Sequence, residues 1–163
     1  MKFLSALFAF SISATSSGAT EWVYFEEANP LTRELDFWSS FRAKSATAQT
    51  NYGTKYMTIF VACIEGQLDI SVNVEEYLGR GQIGVRYRVD EANIVSEQWR
   101  ASADGAGVFV PRNFKDFRKG LQDGNTLAFG TVDYRGASYT TVFEGLDQGR
   151  ANLTKVLTNC EAK

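Results

Sequence analysis

Met57, Ile59, Val61 and Cys63 alternate with Tyr56, Phe60 and Ala62, so one face of this stretch is wholly apolar and the other largely so. Alternation with a period of two marks a strand, and apolar residues on both faces predict a central one, Lys55 to Ile64, covered on both sides. Glu65-Gly66 supplies the turn that follows. Leu68, Ile70, Val72 and Val74 then alternate with Gln67, Asp69, Ser71 and Asn73, which predicts a half-buried strand returning as a hairpin. Gln82 to Val89 repeats the pattern, with Ile83, Val85, Tyr87 and Val89 turned inward and Arg86 and Arg88 turned outward.

The same period appears in Glu21 to Glu26, broken by Asn29-Pro30, and in Asp36 to Lys44, where Phe37, Ser39, Phe41 and Ala43 share a face. Ala48 to Thr54 reads as a polar connection. Glu97 to Ser102 and Gly107 to Val110 are short strands around the turn residues Ala103-Asp104-Gly105. Thr126 to Tyr134 and Ser138 to Phe143 form a second hairpin around Arg135-Gly136. The period becomes helical twice. Phe114, Phe117 and Leu121 predict a short helix over Pro111 to Gln122, with Pro111 suited to its first turn and Asp123-Gly124 at its end. Leu146, Leu153, Val156, Leu157 and Cys160 predict a last helix over Asp147 to Cys160. The fold expected is α+β: a mostly antiparallel sheet of about eight strands, sandwich- or barrel-like, with both helices packed on it.

The N-terminus changes the setting of that fold. Lys2, the apolar run Phe3 to Ile12 and the small residues Ser17-Gly18-Ala19 read as a secretory signal, residues 1–19, cleaved before Thr20. The run is too short to span a bilayer, and no later stretch reaches that length, so no membrane insertion is expected after cleavage. Residues 20–163 are then a single domain of 144 residues, 163 less 19. A periplasmic or secreted protein lives in an oxidising compartment. With Cys63 and Cys160 the only cysteines, and with one on the strand's apolar face and the other on the last helix's apolar stripe, a single disulfide is expected between them.

Composition removes several classes of chemistry. Without the leader there are 16 basic and 19 acidic side chains, a net charge of −3, which offers no clustered positive field for nucleic acid. Histidine is absent, which excludes His-based triads, His metal sites and His general bases. Two distant cysteines do not make a zinc site. No cofactor and no metal are expected.

Some residues invite a functional reading. Arg86 and Arg88 share a strand face, and with Trp99 and Arg100 they could form a cation–π or anion-binding surface; the competing reading is solvated arginines, one pairing with Asp90 or Glu97. Ser102 and Asp104 suggest a nucleophile with an acid but lack a base, and fit a hydrogen-bonded turn better. Glu26-Glu27 and Glu75-Glu76 are carboxylate pairs, but neighbours on a strand point to opposite faces, so neither is a glycosidase pair by itself. Trp22, Trp38, Trp99, Tyr24 and Tyr139 could line a ligand groove or fill the core. Asn152-Leu153-Thr154 matches a glycosylation sequon but falls within a predicted helix.

Taken in order, Trp22 and Pro30, Cys63, Tyr87-Arg88-Val89-Asp90, Trp99 with Ser102, Phe114 and Phe117, Phe143 to Leu146 with Gly145, and Cys160 form a pattern. It resembles the VasI (TagO-like) family of type VI secretion-associated proteins over nearly all of the chain after the leader. The resemblance implies a small periplasmic accessory protein that is not an enzyme, with no catalytic residues to carry over and a protein as its partner. One departure is Leu31-Thr32-Arg33-Glu34 after Pro30, where the family usually has a small-polar, Asp-containing turn; a partner contacting that turn would differ. The expectation is thus a non-catalytic exported binding protein associated with a type VI secretion system. The alternatives are a small exported inhibitor or ligand-binding module acting on a cell-wall enzyme, and a hydrolase using carboxylates that only folding brings together.

Overall fold

The computed structural model describes residues 20–50 and 53–161; the expected leader, residues 1–19, lies outside them. Among these residues are eleven strands: β1 (Val23–Ala28), β2 (Leu35–Arg42), β3 (Ala48–Thr50), β4 (Gly53–Lys55), β5 (Thr58–Ile64), β6 (Gln67–Asn73), β7 (Gln82–Val89), β8 (Val95–Ala101), β9 (Gly107–Phe109), β10 (Thr126–Val132) and β11 (Ser138–Glu144). Two helices, α1 (Lys115–Asp123) and α2 (Arg150–Glu161), complete the chain. Nine strands pair antiparallel in one sheet of order β1-β2-β5-β6-β9-β8-β7-β10-β11, and β3 pairs with β4 in a small separate hairpin.

Local chemistry explains the hairpins. Glu65 and Gly66 both adopt positive φ, 50° and 73°, the two-residue turn whose twist matches that of the flanking strands. The Glu65 N–H is held by the buried Asp36 carboxylate at 2.9 Å. At the β10–β11 turn, Asp133 accepts the N–H groups of Arg135 and Ala137, each at 2.8 Å, while Gly136 takes φ +86°.

The inward faces meet expectation: Phe37, Phe41, Ile59, Val61, Cys63, Ile70, Val72, Ile83, Val85 and Tyr87 are all buried. The chain passes from β9 to β10 through α1, whose Phe117 stands edge-on to both Tyr87 and Trp99, with centroids at 5.0 and 5.1 Å. Helix α2 lies over β1, β2, β5 and β6 and buries Leu153, Val156, Leu157 and Cys160. Cys160 is disulfide-bonded to Cys63 of β5, Cα to Cα 5.6 Å. An Arg118–Glu161 ion pair links the two helices.

The sheet curls on itself. Phe41 of β2 reaches Phe143 of β11, strands near opposite ends of the sheet order, with centroids 6.4 Å apart. Trp22 fastens the curl: its N–H donates to the Gln148 carbonyl (3.1 Å), its indole N–H to the Leu146 carbonyl (3.0 Å), and its own carbonyl accepts Asn152 Nδ2 (2.7 Å).

The α+β architecture with a mostly antiparallel sheet is as expected, its nine strands matching the expected count of about eight. Several finer expectations change. The stretch expected as a polar connection, Ala48 to Thr54, contributes β3 and the start of β4. Helix α1 begins at Lys115, because Pro111 accepts the Phe114 N–H at 2.9 Å in a turn that precedes the helix. Helix α2 begins at Arg150, because Gly149 holds φ +65°. Strand β5 has partners on both edges but cover on one face only: Phe60 is 37% exposed.

Candidate functional site: the outer face of the sheet

Both helices lie on the inner face, so among the described residues no helix covers the outer face of the sheet. Its character is set by register. Cross-strand partners share a face, and the pairs Val23–Ser40, Ser40–Phe60, Phe60–Ser71, Ser71–Phe109 and Phe109–Arg100 run across β1, β2, β5, β6, β9 and β8. Phe25 pairs with Trp38 one step along. Phe25 is 53% exposed, and Trp38 and Phe109 are half-buried. Arginines cap this aromatic surface: Arg42 lies 4.1 Å from the Tyr56 ring centroid and Arg100 5.3 Å from that of Phe109.

The other half of the outer face, on β8, β7, β10 and β11, is a groove of about 1180 Å³. Register again builds it. Gly84 pairs with Gln98, Arg86 with Ser96 and with Gly130, Arg88 with Ala128, Gly130 with Thr140 and Ala128 with Val142. Gly84, Ala128 and Gly130 therefore form a low floor. Arg86 and Arg88 are exposed in the groove, and no carboxylate within salt-bridge distance of either is found among the described residues. The alternative pairing with Asp90 is not realised. The Asp90 carboxylate instead receives the N–H groups of Thr126 (2.7 Å) and Asn125 (3.0 Å) and the Thr126 hydroxyl. The Thr126 N–H above all holds its pKa below the usual carboxylate range, with Asn125 and the Arg150 charge acting in the same direction against partial burial. Glu97 pairs with Val85, on the opposite face from Arg86.

Of the residues expected to form a surface with these arginines, Trp99 does not take part. It is 0% exposed and points into the core, ringed by Tyr87, Phe114, Phe117 and Phe129. The reason is parity: Trp99 pairs with the inward Ile83, whereas Arg100 pairs with Gln82 on the outer face. Arg100 thus shares the face of Arg86 and Arg88 but lies over Phe109, at the seam between the aromatic surface and the groove.

The other candidates resolve into structure. Ser102 donates to Asp104 at 2.5 Å and accepts the Gly107 N–H at 2.9 Å, while Asp104 also accepts the Ala106 N–H at 3.0 Å; this is a turn clamp. Glu26 accepts the Tyr24 hydroxyl at 2.7 Å and lies 3.8 Å from Lys155. Burial first and Glu26 second push the Tyr24 hydroxyl up to about 12. Glu76 is paired with Lys55 at 2.9 Å and Glu75 accepts the Tyr56 N–H at 3.2 Å, while Glu26 and Glu27 are successive residues of β1, opposite Phe37 and Asp36, and so point to opposite faces. Trp22 is buried, Tyr24 packs beneath Lys155, and the Tyr139 hydroxyl lies 3.4 Å from Asp133. Asn152 is within α2. Among the described residues no group of three His, Cys, Asp or Glu side chains could hold a metal ion, and no helix is long and apolar enough to cross a membrane.

The fold and site together define a curled antiparallel sheet with both helices on the inner face, a helix-to-strand disulfide, and an open outer face that is aromatic at one end and arginine-bearing at the other. A bacterial protein shares this fold. The crystal structure of invasion associated protein B from Bartonella henselae superposes with a TM-score of 0.57 at 12% sequence identity, covering 88% of this chain and 95% of that one. No protein-family model matches the sequence, and no curated protein matches it. The resemblance to the VasI family therefore rests on the residues quoted for it.

Proposed function

We propose that this chain is an exported, non-catalytic binding protein that holds a protein partner on the aromatic outer face of its sheet. The observation that carries the reading is that face itself: Phe25, Trp38, Phe60 and Phe109 converge by register on a surface that neither helix covers. Contiguous exposed apolar surface rimmed by arginine is characteristic of protein interaction sites, and a few aromatic anchors carry most of the affinity in such interfaces. The disulfide supports export, since such bonds persist in oxidising compartments. The saturated hydrogen bonding of Ser102 and Asp104 and the separation of the carboxylate pairs argue against hydrolysis. The finer role, a periplasmic accessory of a type VI secretion apparatus, rests on the family resemblance.

A photo-crosslinking residue placed at Phe25 or Phe60 in cells should yield one common adduct, absent when the same residue replaces Leu31 on the loop before β2. Phe60→Ser should weaken that partner's binding by roughly 2 kcal/mol, about 30-fold. The same adducts at all three positions, or none at the two sheet positions, would overturn the reading. A sheath or membrane-complex component as partner supports the secretion role. A cell-wall hydrolase inhibited at stoichiometric ratio replaces that role with inhibition.

A further inference from the structure

We infer that the arginine groove on β8, β7, β10 and β11 is a second docking site, separate from the aromatic surface, and that its occupant is an extended acidic stretch of polypeptide. Charge is the first ground. The chain is acidic, yet Arg86 and Arg88 stand side by side on one exposed face of β7, with no carboxylate within salt-bridge distance of either among the described residues. A guanidinium presents a planar fork of donors that matches a carboxylate two bonds at a time.

Spacing is the second ground. Arg86 and Arg88 are two residues apart on one strand, which separates their Cα atoms by about 6.5–7 Å. An extended peptide repeats its side chains on one face at the same interval, so acidic residues at alternate positions fall opposite the two arginines. The floor admits such a chain. A Cβ added at Gly130 would come within 3.1 Å of Thr140 Cγ2, so the missing side chain is what keeps this part of the groove low.

The remaining lining selects among anions. Ser96, Gln98 and Thr140 place hydroxyl and amide groups along the groove, and Ile94, Val132 and Val142 add exposed apolar side chains; a peptide with apolar residues between its acidic ones satisfies both, whereas an acyl chain would leave the hydroxyl and amide groups desolvated and unpaired. The rings of Tyr87 and Phe129 on the same strands are buried in the core, so no aromatic platform is offered for a sugar. A nucleic-acid backbone would need a longer positive track than two arginines, and Glu144, which also lines the groove, confines the peptide's acidic side chains to the positions facing Arg86 and Arg88.

The experiment uses the oxidised protein from residue 20 onward and a pool of blocked hexapeptides with glutamate at alternate positions, beside the same pool with glutamine, oleate, and a sulfated oligosaccharide. Amide spectra of the protein labelled with nitrogen-15 are followed through each titration. Saturable binding of glutamate peptides is expected, with shifts centred on Gly84 and Gly130. It should weaken about 10-fold for Arg86→Ala or Arg88→Ala, and weaken as salt rises. Gly130→Val should also block binding, with an unchanged melting midpoint for both arginine variants as the check on folding. The inference is overturned if no glutamate peptide binds wild type better than R86A/R88A, if the glutamine pool binds equally, or if oleate or the oligosaccharide binds through the arginines more tightly than every peptide.

Discussion

Replacing both Cys63 and Cys160 by alanine removes the covalent tie between α2 and β5 while leaving each site apolar. The bridge spans 97 residues, and the loop-entropy relation for a loop of that size gives about 4.7 kcal/mol of stabilisation at 25 °C, exerted on the unfolded chain. The native state should survive the loss. Leu153, Val156 and Leu157 of α2 are each at most 3% exposed, and at about 1.5–3 kcal/mol apiece their burial contributes roughly 5–9 kcal/mol before ordering costs. The helix therefore stays docked at 25 °C, and the double variant folds. With a urea dependence of roughly 2 kcal/mol per molar, the unfolding midpoint should fall by roughly 2 M. The slope should rise as well, because an unfolded chain released from a long loop is more expanded and exposes more surface. Equilibrium unfolding by tryptophan fluorescence and far-ultraviolet circular dichroism measures both, with reduced wild type as a second comparison. A midpoint shift under about 0.3 M with an unchanged slope would refute the claim that this bridge constrains the unfolded state. Alkylation of both thiols in the native protein without reductant would refute the bridge.

Two further perturbations test packing and electrostatics. Gly120→Ala in α1 should gain about 1 kcal/mol from helix propensity, but its Cβ would lie 2.5 Å from Val89 Cγ2, and overpacking of that kind costs about 1–3 kcal/mol; net destabilisation is expected in thermal melts, largely restored by adding Val89→Ala, and a more stable single variant would defeat the packing account. Asp133→Asn tests the β10–β11 turn: burial opposes the Asp133 charge, but the N–H groups of Ala137 and Arg135 and the Arg135 guanidinium outweigh it and hold the carboxyl below its usual pKa. A depressed carboxyl pKa stabilises the fold above the unfolded value of about 3.9 and loses that contribution as pH falls through the folded value. The variant should therefore unfold at lower urea than wild type at pH 7, the gap closing toward pH 2; a gap independent of pH would remove the ionic explanation.

The strands were legible because alternation is local. Ile83, Val85 and Tyr87 turn inward and Arg86 and Arg88 outward as their spacing requires, and the chain turns at Glu65-Gly66, where a glycine free to take positive φ stands between strands. The open side of β5 was not legible. Tyr56, Phe60 and Ala62 read as a second buried face because an apolar face left exposed on a sheet and one buried in a core have the same composition. Trp99 misleads for a related reason. It lies near Arg100 in sequence, yet its pairing with Ile83 sends it to the opposite side of the sheet.

What the sequence determined by itself was therefore local or combinatorial: the period of each element, the turn residues, and a disulfide that two cysteines can form in only one way. The tertiary structure decided which strands became neighbours and in what register. Only that register sets Gly84, Ala128 and Gly130 under Arg86 and Arg88, and Phe25, Trp38, Phe60 and Phe109 on one surface. Pairings between distant strands depend on the summed fit of many residues at once, and a slip of one position reverses every face, so no local window of the chain contains the answer.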